Sequence, residues 1–267
     1  MDIQDHLKLY NLKEFDSFEE ISEYAVDLAE KFNIPKKVFN KLNNREKNSW
    51  TDAQHLQFYN TVSSSPFLRE IIYSEKYDAY VECANVVMEN ISSDPRKILD
   101  IGCSCGYITT WYAKYFPSAT IVGIDNAAQS IRVANEYSIS IGINNAHFQV
   151  MDMNKLKFEA SSFDNIVDTQ SIYYSDNILN VLKRIKNILT DDGCLITIPS
   201  IGEYDYLVEY AETILKSGLA IKTAEFIPFI ILGDIQFNMV FVVDKVSSSK
   251  QIDFREKWEF VRSLMSN

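Results

Sequence analysis

Positive charge is scarce in this chain: 26 Lys and Arg stand against 37 Asp and Glu, a net charge of −11 over 267 residues. No basic run interrupts that acidity, so a polyanion finds no surface to bind and nucleic acid is excluded as the expected partner. Long apolar runs are missing as well. Spanning a bilayer takes about 20 apolar residues, which no stretch reaches, and the opening MDIQDHLKLY has no apolar signal core. A cytoplasmic protein with no membrane partner is expected. Cysteine is sparse too, four in all, with Cys103 and Cys105 only two positions apart. Four such thiols make no disulfide framework, and a C-x-C pair is too short for a tetrahedral metal site without further ligands. Structural thiols and no metal are expected.

The chain does have apolar and aromatic mass: 46% of its residues are apolar, with 16 Phe and 15 Tyr. That suffices for a sizeable core and suits enclosure of an organic ligand. Residues 1–94 carry helix signals and almost no strand signals. Ser17-Phe18-Glu19-Glu20 reads as a capping box ahead of apolar residues at helical spacing up to Phe32. Pro35 marks the next start, and a third segment opens near Ser49-Trp50-Thr51. Ser65-Pro66 pairs a cap with a first-turn proline, and a fifth segment runs from Glu75 to Ile91. Ser92-Ser93-Asp94-Pro95 then breaks the pattern. Residues 1–94 therefore read as a helical, substrate-covering cap and 95–246 as the ligand-binding domain.

That domain is organised around Ile98 to Gly106: an apolar strand ending in an acid, two closely spaced glycines, then a helical pattern over Tyr107 to Phe116. Such glycines let a backbone approach a ligand, and the helix behind them offers unpaired N–H groups. Asp100, ahead of the first glycine, repels a pyrophosphate but suits an ammonium or a hydroxyl. Two further strand-like runs, Thr120 to Asp125 and Ala146 to Asp152, also end in acids. Asp125 or Asn126 equally suits a cap for the helix over Ala127 to Tyr137, and Asp152 a turn before Asn154. The fourth strand, Ser162 to Gln170, leads into the loop Ser171 to Asp176. The helix Ile178 to Leu189 ends at Thr190-Asp191-Asp192-Gly193, and Cys194 to Pro199 is the fifth strand. A helix over Tyr204 to Lys216 and two strand-like runs, Leu219 to Phe229 and Ile235 to Val246, complete the domain. Strand–helix alternation closed by a hairpin predicts an α/β fold, a doubly wound and mostly parallel sheet with helices on both faces. In residues 247–267, Ser247-Ser248-Ser249 reads as a linker and Phe254, Trp258, Val261 and Met265 share one helical face. That amphipathic helix is expected to pack on its own chain, a homodimer being the alternative.

The run Asp100 to Gly106, DIGCSCG, resembles the first motif of class I S-adenosylmethionine (SAM) dependent methyltransferases, with Ser104 standing where that family usually has a middle glycine. Matching features follow in order over roughly residues 97–245. The resemblance implies a seven-stranded sheet, SAM as cofactor and S-adenosylhomocysteine (SAH) as its product. In it the Gly102 to Gly106 loop, with Cys103 and Ser104, lies against the methionine part beside Asp100. Asp125, with Asn126, takes the ribose hydroxyls; Asp152 takes the adenine amino group and Met153 the ring. Thr169 and Gln170, at the fourth-strand end, are expected to contact the cofactor as well. Tyr173 and Tyr174, in the loop beyond, are expected to line the substrate side, one of them orienting the nucleophile, since a phenol of pKa ~10 is a poor base. His55 is the candidate base and Tyr59 and Tyr77 the substrate contacts from the cap, whereas His147 reads as structural.

Methyl transfer to a small organic molecule is the function so implied, with an O-, N- or C-nucleophile open. An NAD-dependent oxidoreductase fits less well, because Gly102 to Gly106 lacks the spacing G-x-G-x-x-G. A SAM- or SAH-binding module without catalysis stands beside it, because no histidine occupies the fourth-strand loop. Thr169-Gln170-Ser171-Ile172 replaces the Asn/Asp-Pro-Pro-aromatic motif of adenine and glutamine N-methylation, which sets macromolecular substrates aside.

Overall fold

The structure, a computed structural model, describes residues 2–32, 51–200, 203–231, 234–245 and 252–265. The expected helix start at Pro35 and the linker Ser247–Ser249 lie outside them. Five helices come first: α1 (Ile3–Lys8), α2 (Phe18–Lys31), α3 (Asp52–Ser64), α4 (Pro66–Ser74) and α5 (Tyr77–Asn90). Their starts follow from local chemistry. Ser17, Thr51 and Ser65 each accept a backbone N–H three residues on, and Pro66 occupies the first turn of α4, where its missing N–H costs nothing.

Strand and helix then alternate: β1 (Lys97–Ile101), α6 (Tyr107–Tyr115), β2 (Thr120–Asp125), α7 (Ala128–Ser140), β3 (Ala146–Val150), β4 (Phe163–Thr169), α8 (Ile178–Ile188), β5 (Leu189–Ile198) and α9 (Tyr204–Lys216). A long hairpin of β6 (Ala220–Ile231) and β7 (Asp234–Asp244) and the helix α10 (Phe254–Met265) end the chain. The seven strands form one sheet in the order β3-β2-β1-β4-β5-β7-β6, in which only β7 runs antiparallel to its neighbours.

Alternation along the strands divides the core into two layers. Ile98, Ile121, Val167 and Ile196 point to a face covered by α1–α6, so the N-terminal helices share one core with the sheet. Leu99, Val122, Ile166 and Leu195 point to the other face, covered by α8, α9 and α10. Both faces are therefore dry, as a parallel sheet requires. Helix α10 lies on its own chain: Phe254 meets Phe241 with ring centroids 6.1 Å apart, and Trp258 meets Phe226 at 5.9 Å.

Two boundaries differ from the sequence reading. The preceding helix is expected to end at Thr190 to Gly193 and the fifth strand to begin at Cys194, but β5 begins at Leu189, opposite Phe163, and a register shift absorbs the extra residues before Cys194 meets Asn165. The third strand stops at Val150, so Asp152 caps a short turn instead of ending the strand.

Candidate active site

The crevice lies where the strand order reverses, between β1, which leads out to β2 and β3, and β4, which leads to β5. A cavity of about 330 Å³ opens there, the size of a small-molecule pocket. Gly102 and Cys103 donate their N–H groups to Ile124 O at 2.8 and 3.0 Å, which folds the loop over the end of β2. Gly102 has φ +72°, and a Cβ there would stand 2.3 Å from Ser171 Cβ, so no other residue lets this loop and the exit of β4 touch. Ser104 takes the left-handed region as well, at φ 50°. Two bonds hold it: its N–H donates to Asp125 Oδ2 at 3.0 Å, and its hydroxyl pairs with that of Tyr73 at 2.7 Å. Gly106 is off the cavity, packed on Phe148 and Ala134 where the chain enters α6.

Three carboxylates line the sheet side. Asp100 is 4% exposed and accepts the Thr109 hydroxyl at 2.5 Å. Burial pushes its pKa up to about 7; the Thr109 bond opposes that shift, and the charges of Asp168 and Asp125 add to it. Asp125 lines the cavity and accepts Ala127 N at 2.8 Å as well as Ser104 N, but it does not cap α7: the N-cap residue is Ala127, and no side chain caps that helix. Burial raises the Asp125 carboxyl, against those backbone donors. Asp152 accepts Asn154 N at 2.9 Å, the expected turn bond, and lies 3.3 Å from Lys155 Nζ. Desolvation works upward on it, but the Asn154 and Lys155 contacts outweigh that and hold it below the usual carboxylate range. Asn126, Met153, Thr169 and Gln170 also line the cavity.

Sequence reasoning missed Asp168. This acid is wholly buried at the end of β4 and gathers four donors: Ser171 N and Ile172 N at 2.9 Å, Ser171 Oγ at 2.5 Å and Thr197 Oγ1 at 2.6 Å. It shapes the short 3₁₀ turn that carries Tyr173 and Tyr174. No local signal distinguishes an acid inside a strand pattern from one that gathers a loop.

The opposite wall is helical and aromatic. Tyr174 faces the cavity, its ring 4.6 Å from that of His55, and its hydroxyl is bonded to that of Tyr59. Tyr173 does not line it: stacked behind Tyr174 at 4.2 Å, it supports the wall without being part of it. Burial pushes both phenols up, which removes them as bases at neutral pH. Tyr77 is also off the cavity. It is 3% exposed, and its hydroxyl donates to Gln4 O at 3.4 Å beside α1, because its turn of α5 faces the N-terminus. Tyr73, Tyr80 and Tyr107 line the cavity in its place. His147 is exposed on β3, outside the cavity. Among the described residues no group of acids, histidines and cysteines has the arrangement of a metal site, and no helix is long and apolar enough to cross a membrane.

Residues 92–218 match a family model described as a methyltransferase domain. Malonyl-[acyl-carrier protein] O-methyltransferase of Bacillus cereus is 30% identical over 100 residues, 38% of this chain and 36% of its own length. The protein of the same name from Legionella pneumophila is 30% identical over 103 residues, 38% of this chain and 35% of its own. The chain thus spans little more than a third of the length of these curated relatives. The crystal structure of the [4+2]-cyclase SpnF has the same fold, with a TM-score of 0.59 at 15% identity over 75% of this chain and 98% of that one. Residues 92–218 thus match a methyltransferase domain, and the seven-stranded sheet that contains them, completed by β6 and β7, has the class I methyltransferase fold.

Proposed function

We propose that this protein transfers a methyl group from SAM to a small organic molecule held under its N-terminal helices. The observation that supports this most is the convergence of Asp100, Asp125 and Asp152 with the Gly102 loop on one cavity. That donor set suits the ligand: acids meet an ammonium, a ribose diol and an exocyclic amine, whereas a pyrophosphate would face only negative charge. Asp100 would hold the ammonium, Asp125 the ribose and Asp152 the adenine edge, with Met153 on the ring and Cys103 and Ser104 along the methionine part. SAM supplies an already activated methyl group. The chain's own residues bind, align and dry the reactants, and Tyr174, with Tyr59 and His55 beside it, orients the acceptor.

Calorimetry with SAM, SAH and NAD tests the reading. SAM and SAH bind, NAD does not, and Asp125→Ala weakens SAH by about 1–3 kcal/mol through loss of a charge-assisted acceptor. Binding of NAD without SAM or SAH would overturn it.

A further inference from the structure

The cavity is electrically lopsided. Its three acids sit at the sheet end, and among the described residues a single Lys or Arg, Lys76, lines it. Lys76 is half-buried in the turn between α4 and α5, on the helical wall. Its charge is felt by Tyr174 and by Cys83, both of which line the cavity. Among the described residues no carboxylate lies within ion-pair distance of its ammonium. A lysine that merely complemented the C-terminus of α4 would do so with its charge turned to solvent. This one lines the cavity on its helical side.

We propose that Lys76 recognises the methyl acceptor, and that the acceptor is a small organic carboxylate. The proposal deepens the SAM-dependent reading and rests on it. One ammonium, with no second Lys or Arg on the wall among the described residues, matches one negative charge better than a phosphate dianion, which calls for several donors. Tyr59, Tyr80 and Tyr174 offer ring faces to the organic part. An acceptor that arrives ionised also suits a wall whose phenols are pushed too high to remove a proton. The two charged ends of the cavity then sort its two occupants. A cationic ligand is drawn to the strand ends and an anionic one to the helices, so neither competes for the other's place.

Ligand-observed NMR on SAH-saturated protein tests this with four acids, 3-phenylpropanoic, 4-phenylbutanoic, cyclohexanecarboxylic and octanoic, each against its primary amide. The acids bind about tenfold tighter than their amides, the effect of one partly desolvated charge pair. Lys76→Met removes that preference, Lys76→Arg keeps it, and neither changes SAH affinity. Equal binding of acids and amides, or a preference that survives in Lys76→Met, overturns the proposal while leaving SAM dependence intact. Failure of SAH to bind is read separately in the same titration and overturns both.

Discussion

The two walls of the cavity are built by opposite means. On the sheet wall, position is fixed by backbone: register sets Asp100 opposite Val167 and Gly123, and the Gly102 loop is bonded to Ile124 O. On the helical wall, position depends on side chains reaching across long stretches of sequence. Tyr73 to Ser104 spans 31 residues, and Ser63 to Ser130, bonded at 2.7 Å, spans 67. A wall fixed by backbone tolerates few changes and serves one ligand. A wall made of side chains is where substrate choice is free to vary.

The strongest way to break this contrast is at the backbone. Gly102→Ala forces a Cβ against Ser171 in a left-handed conformation, and a loss of about 2–4 kcal/mol of stability is expected, with SAH binding abolished. Urea unfolding and calorimetry check it; a stable, ligand-binding variant would show that the loop bends freely. On the side-chain wall, Tyr174→Phe is expected to lower kcat about tenfold or more with SAH affinity unchanged. Tyr173→Phe, one layer behind, changes kcat less, and equal effects would erase the distinction between wall and support.

A pH titration sharpens the comparison, because the raised carboxyl belongs to the sheet wall. Asp100 has a folded pKa of about 7, above its ordinary value, so its contribution to stability is full below the ordinary value near 3.8 and is lost as pH rises through 7. A cationic ligand needs the carboxylate, so SAM affinity runs the other way, falling by up to about tenfold per unit as pH drops below 7. Asp100→Asn flattens the profile; an unchanged slope would place the titrating group elsewhere. The smallest effect is expected at Ser104→Gly. Relief of the left-handed φ and loss of the Tyr73 bond are each worth about 1 kcal/mol, so stability shifts by less than about 1 kcal/mol.

The same contrast decides what could be read from the sequence. DIGCSCG and Asp125 were legible because each stands at the end of an apolar run whose local pattern already specifies a buried strand, and Asp152 because it initiates a turn two residues ahead. The helix caps at Ser17 and Ser65 were legible because they act within three residues, as was the start of a helix near Thr51. Lys76 was not, since what matters about it is a neighbour tens of residues away, and Asp168 was not, since its strand pattern hides the loop donors and the distant Thr197 hydroxyl that it gathers. Tyr77 was misplaced because it lies in the same helix as Tyr80, one turn apart, and only the docking of α1 shows which of them is covered. Thr190 to Gly193 read as the end of the preceding helix, and pairing of Leu189 with Phe163 on β4 draws it into the fifth strand.

Methyl transfer itself is tested most directly by incubating the protein with SAM carrying a deuterated methyl group and a small-molecule extract of its host cell, then searching by mass spectrometry for the label. The account predicts a labelled small molecule with an acidic precursor, formed by the native protein and not by Gly102→Ala. Label found only in protein or nucleic acid, or in no product while SAM demonstrably binds, would contradict it.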